Sequence, residues 1–174
     1  FRAISPGGTS LASDADYVAA MTAEDVVSQG GLGRLSLTDL EKALSTVNVA
    51  VRPDIGSTDE GMAGGASRSD LETMFQLIHL NFTAPRADRT AFSVLTANLK
   101  RMLANQEAEP DTVFERAVVS ALTGDHPRAQ PLTPAMVDQM SLDRSLAFYK
   151  DRFADAGDFT FVFVGSLDLQ AMKP

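Results

Sequence analysis

The chain has 174 residues, a formal net charge of −8 and no cysteine. That length allows one ordinary domain with a real core. The charge argues against nucleic acid or an anionic membrane as main partner, and the missing thiols exclude disulfides, cysteine catalysis and Cys-based zinc sites. No apolar run approaches the roughly 20 residues of a membrane span. No signal peptide is visible, and a chain that begins at Phe1 reads as a piece of a longer polypeptide.

Phe1 to Ile4 reads as the end of a strand, followed by a turn at Ser5-Pro6-Gly7-Gly8-Thr9-Ser10. Ser13 or Asp14 can cap a helix running to about Ser28, ended by Gly30, Gly31 and Gly33. Those glycines follow a helix and do not spell GxGxxG, so they are a weak phosphate signal. A second helix spans about Ser36 to Leu44, with Ser36 and Asp39 as a capping pair. Val47, Val49 and Val51 alternate as in a half-buried strand, and Pro53 to Ser57 turns the chain. A glycine-rich strand from Thr58 to Ala66 belongs at a sheet edge or against a close neighbour.

Ser67 or Ser69 caps the next helix, with Leu71, Met74, Phe75, Ile78 and Phe82 on one face. Phe92, Leu95, Leu99 and Met102 form another stripe. Pro110 opens a helix carrying Val113, Phe114, Ala117, Val118 and Ala121. A loop from Asp125 to Pro134 leads to a helix marked by Leu142, Leu146, Tyr149 and Phe153. Phe159 to Val164 is apolar on both faces and reads as a central strand covered by helices on at least one side. Asp168 to Lys173 looks like a helix start. A few strands with long helices predict an α+β layered domain, with residues 1–174 as a single, incomplete unit.

Three passages carry a family resemblance: the Ser5–Ser10 turn, Ser69-Asp70-Leu71-Glu72-Thr73-Met74-Phe75 with Phe82-Thr83-Ala84-Pro85-Arg86, and Asp158–Gly165. Their order and spacing resemble the pitrilysin/insulinase family of zinc metallopeptidases, in particular the second half of bacterial periplasmic-type members. The resemblance implies a mainly antiparallel sheet packed by long helices, in a domain from the metal-free half of a chain whose two halves close around peptides. In an active domain of this family a helix carries His-x-x-Glu-His. Here Met21 and Asp25 stand at the two histidine positions, Glu24 at the general-base position, and the third ligand would fall near Arg101-Met102. A thioether and a lone carboxylate are poor zinc ligands beside imidazole.

The resemblance therefore implies no catalytic residue and no metal in this domain, with zinc held in the catalytic half of the full-length protein. The expected function is a non-catalytic structural and substrate-chamber domain, partnered by sister domains or a partner chain and by peptide substrates. The alternative is a scaffold or peptide-binding module of a member without proteolysis. A periplasmic or secreted location is favoured by the same resemblance.

Other candidates are weaker. His79 reads as a partly buried helix histidine, and Asp125-His126-Pro127 as a turn whose Asp bonds local backbone. Asp54, Asp59 and Glu60 read as a solvated turn. No Gly-x-Ser-x-Gly surrounds Ser5, Ser10 or Ser28. Met62, Met74, Met102 and Met136 read as core. The remaining peptide-binding candidates are Gly61, Met62, Gly64 and Gly65, whose strand could pair with an extended chain if it were an edge. Missing terminal strands, which would leave an unpaired sheet edge and apolar helix faces, also predict dimerisation or aggregation of the fragment.

Overall fold

The computed structural model describes residues 1–106, 109–166 and 168. Four strands form one antiparallel sheet: β1 (Arg2–Pro6), β2 (Val49–Ile55), β3 (Asp59–Ala66) and β4 (Thr160–Val162), in the order β2-β3-β1-β4. The eight α-helices among the described residues are α1 (Tyr17–Met21), α2 (Ala23–Gly30), α3 (Leu37–Leu44), α4 (Leu71–Thr83), α5 (Arg89–Gln106), α6 (Pro110–Thr123), α7 (Pro134–Val137) and α8 (Leu142–Arg152). The α+β expectation holds.

Helix α2 organises the layers. Ala23, Val26, Val27 and Gly30 are all buried, at the i, i+3, i+4, i+7 spacing of a helix face. Ala23 and Val27 join the core against the sheet, with Ala3, Met62, Met74, Ile78, Tyr149, Phe153 and Phe159. Val26 enters a second cluster with Leu103, Val137 and Met140, backed by Phe92, Leu95 and Leu99. One short helix thus serves two cores.

The expected caps hold in part. Ser36 accepts the Asp39 N–H at the start of α3, and Pro110 occupies the first turn of α6. The helix expected from residue 13 or 14 starts at Tyr17, because Ser13 donates its hydroxyl to Asp16 Oδ2 (2.6 Å) in a local turn. It also divides in two at Thr22. Ser67 precedes only a short 3-10 turn and gives its hydroxyl to Asp70, which stands at the N-cap of α4.

Five further expectations change. Pro53 does not turn the chain: it is buried within β2, paired with Met62, and the hairpin turns after Ile55. The glycine-rich β3 is an interior strand flanked by β1 and β2, so its close-neighbour reading stands and its edge reading does not. The Phe159–Val164 run contributes only three residues to the sheet, at its end among the described strands. Its Phe161 and Phe163 stack toward the core while Val162 and Val164 are exposed, so helices cover one side of it. On α6, the expected core residues face outward: Val113, Phe114 and Val118 are all exposed. Met102 is exposed as well, and its neighbour Leu103 takes the core position. The helix start at 168–173 lies, apart from Asp168, outside the described residues.

Two glycines of β3 separate close packing from chain flexibility. A Cβ on Gly64 would lie 2.0 Å from the Ala50 carbonyl oxygen, whereas one on Gly65 meets nothing within 4 Å. Gly64→Ala is expected to cost about 2 kcal/mol or more through forced strand displacement. Gly65→Ala should stay within about 0.5 kcal/mol of the parent. Urea unfolding of both variants checks the contrast.

Candidate functional site

The residues that the family resemblance singles out lie at the junction of α1 and α2. Met21 is the last residue of α1 and is half-buried; Glu24 and Asp25 occupy the first turn of α2. Between them Thr22 leaves helical geometry (φ −109°, ψ 3°). Its hydroxyl donates back to the Val18 carbonyl at 2.8 Å and lies 3.5 Å from the buried Ser145 hydroxyl of α8. Back-bonding of this kind competes with the regular helix ladder and bends helices. Met21 and Asp25 therefore do not share one uninterrupted helix, the frame on which an i, i+4 ligand pair sits.

Glu24 is half-buried near the end of β2, with the Ile55 N–H close to its carboxylate. Loss of solvent raises its pKa first of all, the negative charges of Asp25 and Asp54 push the same way, and the Ile55 hydrogen bond opposes them. Asp25 is exposed at its surface, and partial loss of solvent raises its pKa too. Behind Glu24 lies Tyr149 of α8, wholly buried, its phenol held neutral far into the alkaline range by burial and by the Glu24 charge. The Tyr149 hydroxyl donates to Asn81 Oδ1 at 3.4 Å, and Asn81 Nδ2 donates to the Leu77 carbonyl at 2.8 Å.

As a metal site this set does not fit zinc. It offers one thioether and two adjacent carboxylates, with no imidazole or thiolate. Arg101, near the position inferred for a third ligand, lies on α5 with its guanidinium hydrogen-bonded to Asn98 Oδ1. Among the described residues no group of three or more His, Cys, Asp or Glu side chains is arranged to hold a metal ion.

The secondary candidates separate. Gly61, Met62 and Gly64 are paired on both flanks within the sheet, so an added peptide strand has no main-chain groups to use there. Gly65 pairs with Ala50 on one flank and lines a cavity of about 230 Å³ with Phe1, Leu71, Met74 and Phe163. His79 is exposed rather than partly buried, and His126 is exposed on a separate element, its Nδ1 accepting the Arg128 N–H at 3.2 Å. Asp125 takes a left-handed backbone (φ 58°) and accepts from the Ser120 hydroxyl rather than from backbone.

Glu60 departs most from expectation. It is 2% exposed, not solvated, and its Oε2 accepts the Gly8 N–H at 2.5 Å. A Cβ on Gly7 would fall 2.5 Å from the same oxygen. The Ser-Pro-Gly-Gly turn is thus shaped around a buried carboxylate, a partnership that spacing alone could not show.

No family model matches the chain. A curated relative, the probable zinc protease PqqL of Haemophilus influenzae, is 25% identical over 176 residues, covering 99% of this chain but 18% of the relative. The periplasmic protease PqqL from Escherichia coli superposes with a TM-score of 0.79 at 20% identity, over 98% of this chain and 19% of that one. A peptidase M16 inactive domain from Pseudomonas fluorescens gives 0.67 at 15% identity, over 85% of this chain and 36% of its own. The chain thus spans under a fifth of the curated relative's length.

The raised Glu24 pKa has a signed consequence for stability. A carboxyl whose pKa is higher folded than unfolded favours the folded state most below its unfolded value, about 4.3, and that contribution is lost as pH rises through the folded value. Glu24→Gln keeps an acceptor for Ile55 and removes the charge. It should raise the melting temperature at pH 7 and lose that advantage below about pH 4. Thermal unfolding across pH checks this; equal gains at both ends would contradict it. With sequence and fold in agreement along nearly its whole length, the chain is a homologue of the pitrilysin-type (M16) zinc proteases, built on the α+β domain that their structures share.

Proposed function

We propose that residues 1–174 act as a non-catalytic structural and substrate-chamber domain of a zinc metallopeptidase that degrades peptides. In this reading the domain packs against sister domains of the same polypeptide, or against a partner chain, and helps enclose the substrate. Hydrolysis falls to another domain, where zinc supplies the activated water. The observation that carries the reading is the junction at Thr22. The positions matched to the family's histidines hold Met21 and Asp25, and they flank a broken helix rather than lining one face of a continuous one. Glu24, at the matched general-base position, is half-buried beside the Ile55 N–H.

The similarity to a zinc protease over 99% of the chain, and to a domain described as inactive, supports the same assignment. A periplasmic location is proposed with it, because the Escherichia coli neighbour is a periplasmic protease.

Calorimetric titration of the purified chain with zinc, beside a peptide-hydrolysis assay, tests the reading. Neither stoichiometric binding nor cleavage is expected. A one-to-one zinc complex lost on Glu24→Ala, together with cleavage, would overturn it.

A further inference from the structure

With β3 interior, one end of the sheet is β2. Two backbone bonds fix which way its main chain points. The Gly56 N–H donates to the Asp59 carbonyl at 2.8 Å, and the Ser67 N–H donates to the Asn48 carbonyl at 2.9 Å, just beyond either end of the β2–β3 pairing. Bonded positions alternate along an antiparallel pair. Ala50, Arg52 and Asp54 therefore turn their N–H and C=O groups to β3, and Val49, Val51, Pro53 and Ile55 turn theirs outward. These four outward positions follow one another at about 7 Å.

Pro53 is the third of the four. It has no N–H to give, and a ring carbon stands where the hydrogen would be. At this outward position it costs β2 no bond to β3, whereas at Arg52 or Asp54 it would break one. At the fourth position the Ile55 N–H lies close to the Glu24 carboxylate of α2. That leaves Val49 and Val51 as the outward N–H groups with no partner among the described residues. A strand of about five or six residues bonds its neighbour through about three alternate positions, and β2 no longer offers three donors in a row.

We infer that Pro53, with Glu24 at the next outward position, closes the outer edge of β2 to main-chain pairing by an extended segment, a second copy of this strand included. Proline and charge at a sheet end are devices that keep such ends from pairing. Pro53 is also buried, beside a cavity of about 180 Å³ lined in part by Val27, Leu37 and Leu40. Packing alone would be served by valine, which has an N–H; the missing donor is what sets proline apart. The inference goes beyond the chamber role proposed above: a peptide enclosed there is not held by joining the sheet at β2. It rests on strand register and not on metal ligands, so a zinc complex would overturn the proposed function and leave the closed edge in place.

Pro53→Val keeps an apolar side chain and restores the N–H, which lets the β2 strands of two copies pair. The test is residue-resolved amide hydrogen exchange by NMR at about 10 and about 300 µM protein. This readout is specific to β2 and ignores association through other faces. In the parent, exchange at Val49 and Val51 should not depend on concentration. In Pro53→Val it should slow at both residues by at least about tenfold at the higher concentration. Pro53→Ala, smaller but with the same N–H, should behave alike if the valine variant does not fold. Pro53→Val/Val51→Pro moves the gap to another outward position and should stay closed, with the Ala50 and Arg52 amides protected as in the parent. Concentration-dependent protection of Val49 and Val51 in the parent overturns the inference. So does its absence from a folded Pro53→Val or Pro53→Ala, or pairing of the double variant as readily as the single one.

Discussion

The stacking of Tyr149 on Phe153 is the joint on which the rest of the domain depends. The rings lie 4.4 Å apart and nearly parallel, both fully out of solvent. Phe153 stacks in turn on Phe159 at the entrance to β4, and Phe82 of α4 meets Phe153 and Phe159 edge-on. One aromatic column therefore ties α8 and α4 to the end of the sheet. The offset and edge-on geometries are those aromatic quadrupoles prefer, each adding about 0.5–1.5 kcal/mol beyond burial. The column also sets the chemistry around Glu24, because Tyr149 is the dry wall behind that carboxylate.

This arrangement keeps the packing of α2 largely apart from the polar residues at its start. What α2 contributes to stability comes from Ala23, Val26, Val27 and Gly30, which face the two cores. Met21, Glu24 and Asp25 take no part in either buried cluster. The packing of the helix and the chemistry at its start are thus nearly independent, and the second can change while the first is kept.

Much of the fold was legible because it rests on local periodicity. The buried Met74 and Ile78 of α4, the Tyr149 and Phe153 stripe of α8 and the Ser36 cap follow from side-chain spacing and short-range hydrogen bonding. Several failures concern where an element sits against the rest of the fold. Pro53 reads as a turn until its place opposite Met62 is known. The β3 glycines read as an edge until Ala50 and Ala3 are seen pressing on them from either flank. Val113 and Phe114 read as core because periodicity reports that a helix has an apolar face, not where that face points. At the candidate site the residue types were plain from sequence, but the interruption at Thr22 was not. There the Thr22 hydroxyl donates back to the Val18 carbonyl and lies beside the Ser145 hydroxyl.

Glu60 has a further consequence for how the chain assembles. Its carboxylate reaches from β3 to the backbone just past β1, and it does so only while Ser5 lies opposite Glu60. Strand pairing in a sheet with so many small residues is otherwise weakly specified, since glycine and alanine distinguish one alignment from the next poorly. A slip by a single residue would turn the acid to the other side of the sheet and leave the Gly8 amide without an acceptor. The buried carboxyl group therefore works as a detent for strand alignment, closing on the same notch that keeps Met62 and Ala3 in the core.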